Sequence, residues 1–567
     1  MAVASMGAPA RSSDVSSAEM RKVILGSSLG TMFEWYDFYL FGSLAGIIGK
    51  HFFSGFPDNT QYIFALLAFA AGFLVRPFGA MIFGPMGDLI GRKFTFLITM
   101  FIMGLATLAV GVLPGYNSIG IWAPVILIGL RLLQGLAIGG EYGGAAIYVA
   151  EHAEDDRRGA RTGWIQTTAA MGLVLSLIVL ILAQLLSPGA DWKAQQAYYG
   201  SEWGSWRWPF WASAILLVVS IWIRLSLNES PVFQKMKDDS KLSRAPLGEA
   251  IGNWKGLSAI LIALFGLMMG QAVTFYCGNF YVKTFLLKSA QVDNWWVDVT
   301  LLIAVTASVP FYVFFGWLSD KIGRKPVILA GVLAAALGYF PLFGMIAQEA
   351  NPSLQAAASK SPVTISANAG DCNLQFDPAP RLDGKPKFTS PCDIAVTALA
   401  GKGIPYSRVD GPLGAAQIKI GDKAVDSYDG TAADAKDKGA AFTKSLAETL
   451  SGAGYPLKAP IAGIDWKLVG LVWLLCMISA ITYGPIAAAL VEMFPSRYRY
   501  SALSLPYHLG NGWFGGILPA LTFAMVAATG NPYFGLWYPV VVAAICFIVG
   551  LIFVRERAGQ PIDALDN

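Results

Sequence analysis

Runs of about twenty or more apolar residues recur along the chain, broken by short polar segments, and each run is long enough to cross a hydrocarbon layer as a helix. They fall at about 22–48, 61–86, 94–114, 119–150, 162–187, 207–227, 256–286, 295–318, 326–347, 464–491, 499–528 and 531–554, which predicts twelve spans. Several exceed what a bilayer needs, leaving room for tilt or for an extension into water. Between the sixth and seventh runs, residues 228–255 are a polar connector carrying Lys235, Lys237, Asp238, Asp239, Lys241 and Arg244, read as a solvated linker. Residues 348–463 lose hydropathy without becoming low in complexity. There Pro362–Ser366 and Ile418–Ile420 read as short strands, while Cys392–Leu399 and Ala441–Leu450 carry helical apolar spacing. A small α+β domain is expected there, since bare loops of that length are uncommon. The pattern predicts an all-α membrane protein of twelve transmembrane helices in two six-helix bundles. One bundle covers 1–227, the other 256–347 and 464–567, with an α+β insert over 348–463.

One polar signature occurs twice between these runs. Gly87-Asp88-Leu89-Ile90-Gly91-Arg92-Lys93 returns as Ser319-Asp320-Lys321-Ile322-Gly323-Arg324-Lys325, sharing Asp-x-Ile-Gly-Arg-Lys. Two copies between spans indicate an internal duplication, the way many carriers are built. Glycine permits the chain reversal, the bases stay on the cytoplasmic side, and the acid can pair with a neighbouring helix end.

Composition agrees with a lipid environment: mean hydropathy is +0.53 and only 14% of residues are charged, against roughly a quarter in soluble proteins. The net charge of +4 is small and scattered, which argues against a nucleic-acid partner. Placement of the bases is more telling. Arg21, Lys22, Arg92, Lys93, Arg157, Arg158, Arg161, Lys235, Lys237, Lys241, Arg244, Lys321, Arg324, Lys325, Arg497, Arg499, Arg555 and Arg557 fall on one side, whereas the opposite short loops hold few bases, mainly Lys50, Lys193 and Lys288. By the positive-inside rule both termini are expected in the cytoplasm and residues 348–463 outside. The polar first twenty residues lead into a span too long for a signal sequence, so no cleaved leader is expected. Cys277, Cys476 and Cys546 lie within spans as packing residues, whereas Cys372 and Cys392 share the insert and form a disulfide candidate if that compartment is oxidising.

Ionisable residues inside spans carry the chemistry. Glu34 and Asp37 lie three apart in the first span, on one helix face. A charge at mid-bilayer costs about 3 kcal/mol, so such acids ordinarily face a polar cavity or a permanent partner, and a buried carboxyl suits proton coupling. Arg76 precedes Pro77 in the second span, and Arg131 opens Arg131-Leu-Leu-Gln134-Gly135 in the fourth. A guanidinium fork fits a carboxylate, so Arg76 is the candidate ligand of an anionic substrate. Arg131 either exchanges partners among membrane acids or holds a fixed ion pair. Glu141 joins Glu34, Asp37 and Arg131 as the proton-coupling set, and Tyr36, Tyr142, Gln166, Gln271 and Asn279 join Arg76 as substrate-binding candidates. Tyr276, Tyr281, Tyr483, Tyr507, His508 and Asn511 add polar, mostly uncharged positions in the second half, which puts proton handling in the first. No nucleophile–base pair, metal-ligand cluster or phosphate loop occurs, so neither an enzyme nor a metal site is expected.

These motifs together resemble the metabolite:proton symporters of the major facilitator superfamily. The resemblance rests on Gly30-Thr31-Met32-Phe33-Glu34-Trp35-Tyr36-Asp37-Phe38, Val75-Arg76-Pro77-Phe78-Gly79, both Asp-x-Ile-Gly-Arg-Lys loops, Gly139-Gly140-Glu141-Tyr142-Gly143 and Glu229-Ser230-Pro231-Val232-Phe233. It implies a functional monomer in the cell membrane that opens alternately to each side, driven by the proton gradient with no cofactor. Gly87, Asp88, Gly91, Arg92 and Lys93 with Asp320, Gly323, Arg324 and Lys325 then look like the cytoplasmic latch, and Arg76 like the carboxylate ligand. Uptake of a small organic anion, a mono- or dicarboxylate, is the function expected. A zwitterionic osmolyte or amino-acid-like solute is the alternative, and a solute sensor using the outer insert a more distant one. The insert is foreign to the family pattern, and the dozen or so residues after Arg555 carry no heptads, unlike the coiled-coil tail of osmosensing relatives.

Overall fold

The computed structural model describes residues 17–56, 58–90, 92–140, 142–225, 245–373, 388–456, 458–562 and 565; within them the side chains of 17–23, 26, 27, 34, 58, 59, 88, 89, 92, 93, 96, 142, 223, 224 and 369 lie outside the description. Nine helices among the described residues are long and apolar enough to cross a membrane: Thr60–Gly87, Trp122–His152, Arg158–Leu185, Trp254–Ser289, Asn294–Ile322, Arg324–Ala350, Trp466–Val491, Ser496–Thr529 and Phe534–Phe553. The three other expected windows hold the helices Ser17–Ser43, Arg92–Val112 and Trp208–Leu225. Glu34 and Asp37 lower the hydropathy of the first, the second is apolar at least over Leu97–Val112, where its fully described stretch lies, and the third ends where the description stops. Of the expected linker, residues 228–244 lie outside the described residues, as does Glu229–Phe233; the rest includes the short helix Pro246–Ile251.

Local chemistry fixes several helix ends. The Asp293 side chain accepts from the Trp295 N–H to start Asn294–Ile322, and Asp465 does the same for Trp466–Tyr483 through the N–H groups of Lys467 and Leu468. Gly323 ends the first of these at φ 103°, a conformation only glycine enters freely, and Arg324–Ala350 starts directly after it. Trp254–Ser289 contains wide π turns at Leu264–Met268, Cys277–Tyr281 and Phe285–Ser289, and the Ser496–Thr529 span has one at Gly510–Gly516. Such turns bulge one residue out of the helix and recur at functional sites.

The first half meets the second along Arg158–Leu185 and Asn294–Ile322, where small residues let the backbones touch. A Cβ on Gly159 would lie 2.3 Å from the Gly316 carbonyl oxygen. Aromatic and aliphatic side chains fill the interior, while Ile215, Val218, Trp222 and Leu337 remain exposed on the outer helix faces, as lipid-facing residues do.

Within the insert, strands β1 (Val363–Ala367), β2 (Tyr406–Asp410), β3 (Ala416–Ile420) and β4 (Lys423–Asp426) form one sheet in the order β2-β1-β3-β4. β1 and β2 are parallel and the other pairs antiparallel. Ile365, Ile418, Leu399 and Leu446 belong to a core distinct from that of the helices, shared by the helices Pro391–Gly401 and Ala435–Gly452. Cys372 and Cys392 are bonded, their Cα atoms 5.2 Å apart. The insert docks on the second half through Tyr406 N–H to the Gly530 carbonyl at 3.1 Å and Asn351 Nδ2 to the Ala290 carbonyl at 3.0 Å. Its Pro391–Gly401 helix also touches Asp58–Leu74 of the first half.

Candidate functional site

Arg76 lies fully buried between the halves, and none of its three guanidinium nitrogens has a hydrogen-bond partner among the described residues. Its guanidinium stands 4.0 Å from the Phe73 ring centre, 4.4 Å from Phe38 and 5.3 Å from Trp35. Stacking on rings offsets part of the cost of burying the charge but satisfies no N–H. Tyr39 of the first half and Tyr276, Tyr483 and Tyr507 of the second are its polar neighbours, and His508 is a further one. The hydroxyls of Tyr39 and Tyr276 and both ring nitrogens of His508 are likewise buried without a partner, whereas the Tyr483 and Tyr507 hydroxyls bond each other at 2.7 Å. Native interiors rarely leave one such group unsatisfied, and such a cluster around a fixed cation has the donors to take up a polar, anionic ligand.

Other expected ligands divide. Gln271 is buried with both amide atoms unpartnered, and Asn279 keeps its Oδ1 free while its Nδ2 donates to the Phe275 carbonyl at 2.9 Å and Ser479 Oγ at 3.3 Å. Gln166 is buried on Arg158–Leu185, with a polar partner of its own. Tyr36 leaves the set: its hydroxyl donates to the Pro209 carbonyl at 2.8 Å and so holds two helices of the first half together. The side chain of Tyr142, and those of Glu34 and Glu141 in the proton set, lie outside the described residues.

Asp37 is buried and accepts from Ser213 Oγ at 2.5 Å, facing the Trp208–Leu225 helix of its own half. An Asp37 carboxylate lining the central crevice, as its face of the first span suggested, therefore gives way to one tucked inside the first bundle. Arg131 does not follow the acid-pairing expectation among the described side chains: it donates to Gln134 Oε1 and to the Phe38 carbonyl at 3.3 Å, and stacks 4.0 Å from the Phe41 ring centre. Asp37 is a charged neighbour of Arg131 without being its hydrogen-bond acceptor.

Contacts join the halves on both sides of this cluster. At the end carrying the repeated signatures, Asp320 accepts from the N–H groups of Gly159 and Ala160 at 2.8 Å each, taking up the first turn of Arg158–Leu185. Arg324 donates to Asp320 at 2.6 Å and to Glu492 at 3.1 Å, and Arg158 reaches Glu492 at 2.8 Å. Arg499 meets Glu151 at 3.4 Å, so each half supplies an arginine to the other's glutamate. Lys325 donates its N–H to Glu556 at 2.9 Å, Gly87 packs against the Tyr500 ring, and the Asp88, Arg92 and Lys93 side chains and all of Gly91 lie outside the described residues. Glu154, outside the spans, accepts from Arg161, which holds its carboxyl below the ordinary carboxylate range. At the insert end, Lys283 pairs with Asp298 at 2.5 Å and donates to the Ser43 carbonyl of the first half at 3.1 Å, beside a Tyr62–Thr284 bond of 3.2 Å.

Sequence reasoning missed several of these groups. Glu492, Glu151, Arg158 and Arg499 had a signal: a glutamate followed seven positions later by an arginine occurs at Glu151–Arg158 and again at Glu492–Arg499. Lys283 and Asp298 lay in consecutive apolar runs and passed unnoticed. Tyr39, two positions past Asp37, carried no separate signal.

Residues 27–359 match the family model described as Major Facilitator Superfamily, and residues 450–567 one described as Sugar (and other) transporter. The proline/betaine transporter of Escherichia coli (strain K12) is 33% identical over 347 residues, 59% of this chain and 66% of that protein, so the chain spans about two thirds of that relative's length. The alpha-ketoglutarate permease of the same strain is 32% identical over 343 residues, covering 60% of this chain and 76% of the permease. In fold, the chain is similar to the proton:xylose symporter XylE, with a TM-score of 0.58 at 15% identity, covering 97% of this chain and 99% of that one. With a family model covering more than half of its length, the chain belongs to the Major Facilitator Superfamily.

Proposed function

We propose that this protein is a proton-coupled symporter that takes up a small organic anion, a mono- or dicarboxylate, by alternating access. In this reading twelve helices form two six-helix bundles, residues 1–227 and 256–347 with 464–567, joined by the linker 228–255. Both termini lie in the cytoplasm and residues 348–463 outside. One observation carries the reading: a buried guanidinium with three unpartnered nitrogens, set between the halves among unpartnered hydroxyls and a histidine. A carboxylate entering there would take bidentate hydrogen bonds from Arg76, and Tyr39 from one half and Tyr276 and His508 from the other would close on its far side. Because those groups come from both bundles, binding pulls the halves together, which is what a carrier needs before it reorients. The family pattern and the proton:xylose symporter fold support coupling to protons. Asp37, protonated or not beside Ser213, would then act through the packing of the first bundle and Arg131.

A second reading has its own support. Proline, betaine and ketoglutarate, named in the relatives, all carry a carboxylate, so the same arginine fits each. Trp35, Phe38 and Phe73 around it would suit the cationic end of a zwitterion as well. Proteoliposome uptake under an imposed pH gradient tests both. Dicarboxylate uptake that betaine fails to inhibit supports the first reading and the reverse supports the second. Arg76→Ala should abolish uptake of either. Asp37→Asn should remove accumulation while leaving exchange, and an Asp37→Asn carrier that still concentrates solute up a pH gradient overturns the proton assignment.

A further inference from the structure

At the end of the molecule that carries the repeated signatures, a pocket lies under the close of the last span, apart from the Arg76 cluster. Arg324, Lys325, Arg555 and Arg557 line it over an apolar floor that includes Ile328, and the carboxylate in its wall is Glu492. That acid is already met by Arg158 at 2.8 Å and Arg324 at 3.1 Å from the side of the inter-half contact. Glu556 lies between Arg555 and Arg557 in sequence, yet it turns away: its carboxylate accepts from the backbone N–H groups of Lys325, Arg557 and Ala558 at 2.9–3.0 Å. The Arg555 and Arg557 guanidiniums therefore have neither ion-pair nor hydrogen-bond partner among the described residues. Both follow directly after Phe534–Phe553, and Arg324 and Lys325 open Arg324–Ala350, so all four bases sit at one boundary of the spans. Leu551, Ile552 and Phe553 just beside them are 55–64% exposed, an apolar surface suited to contact with acyl chains.

We propose that this pocket holds a phosphate anion, supplied either by the headgroup of an anionic lipid or by a soluble phosphate. Two unpaired guanidinium forks, with an ammonium that spends one of its three donors on the Leu551 carbonyl at 2.8 Å, line a pocket over a neutralised acid and match the several acceptor oxygens of a phosphate. The adjoining apolar surface is where the chains of a lipid would run. Arg324 both lines the pocket and holds Asp320 and Glu492, so occupancy would bear on the contact between the halves. This site is independent of the carboxylate reading of Arg76.

The full chain in detergent micelles, offered equimolar phosphatidylglycerol and phosphatidylcholine, should retain phosphatidylglycerol preferentially in native mass spectrometry. Each base near an anionic headgroup is worth about fivefold, so Arg555→Gln with Arg557→Gln should cost roughly thirtyfold in that preference. Arg555→Lys with Arg557→Lys, which keeps the charge, should retain most of it. A melting shift with inorganic phosphate that the Gln pair abolishes, without any lipid preference, supports the site and assigns it to a soluble phosphate. Neither lipid preference nor phosphate shift in the wild type overturns the proposal, and so does an unchanged preference in the Gln pair.

Discussion

Asp320→Asn tests how the repeated signature holds the halves together. Asp320 spends one carboxylate oxygen on the Gly159 N–H and the other on the Ala160 N–H, both at 2.8 Å, and Arg324 adds a third bond at 2.6 Å. Asparagine has a single acceptor oxygen, so its NH2 group must face one of those N–H donors. One buried N–H is then left without an acceptor, at about 1–3 kcal/mol. Favourable placement of a negative charge on the first turn of Arg158–Leu185 disappears too, about 1 kcal/mol more. Relief of the carboxylate's desolvation offsets a part, and Arg324 keeps Glu492 at 3.1 Å. A net loss of about 3 kcal/mol shifts the equilibrium between joined and parted ends by about two orders of magnitude.

Spin labels at Asp156 and Lys321, one in each half and both exposed, would report that separation. Background labelling is low, since Cys277, Cys476 and Cys546 are buried and Cys372 is bonded to Cys392. In the otherwise wild-type carrier the short distance should dominate. With Asp320→Asn a longer component should become the major one. Superimposable distance distributions would refute the reasoning, because they would mean that the carboxylate is not what closes this end.

Two further substitutions probe the interior. Lys283→Met strands Asp298 beside Asn294 without its cation and should lower stability by about 3–5 kcal/mol in a thermal melt, whereas Lys283→Met with Asp298→Leu should recover most of it. Tyr36→Phe removes one bond to the Pro209 carbonyl and should cost about 1 kcal/mol of stability while leaving substrate affinity in a binding titration unchanged.

What the sequence disclosed and what it hid follow from range of interaction. Long apolar runs declare themselves because a bilayer demands length, and helices lie in each of the twelve windows, nine of them meeting the length and hydropathy of a span among the described residues. Strand β1 was legible from its alternation, but β2, with four exposed residues of five, carries no apolar face to read. Arg76 was legible because an arginine in an apolar run has few explanations. Its setting was not: Tyr39, Tyr276 and His508 converge on it from three helices. Asp320 was flagged by repetition, yet its partners on the other half are backbone N–H groups, which no side-chain pattern can announce. Tyr36 was misjudged for its place beside Asp37; a neighbour in sequence shares its helix, and here both side chains serve the Trp208–Leu225 helix instead of the crevice.

The two ends are closed by different chemistry, and that difference bears on the cycle. Near Asp320, six charged side chains and two helix N–H groups interlock; the arginine–glutamate exchange across the halves is reciprocal, while Arg324 holds Asp320 and Glu492 within its own half. Parting this end breaks the cross-half ion pairs Arg158–Glu492 and Arg499–Glu151 and takes from Asp320 its two N–H donors, losses that are expensive in low dielectric. At the insert end, the cross-half bonds of Lys283 and Tyr62 run to a carbonyl and a hydroxyl, and Lys283 keeps Asp298 within its own half whether or not the halves separate. Opening there breaks neutral or singly charged hydrogen bonds while leaving the ion pair whole, a cost of about 1–3 kcal/mol per bond. On the proposed function, the resting bias of the bundle would therefore lie toward opening at the insert end. On that proposed function, a ligand bridging Arg76 to Tyr276 and His508 would supply the free energy that tips it the other way.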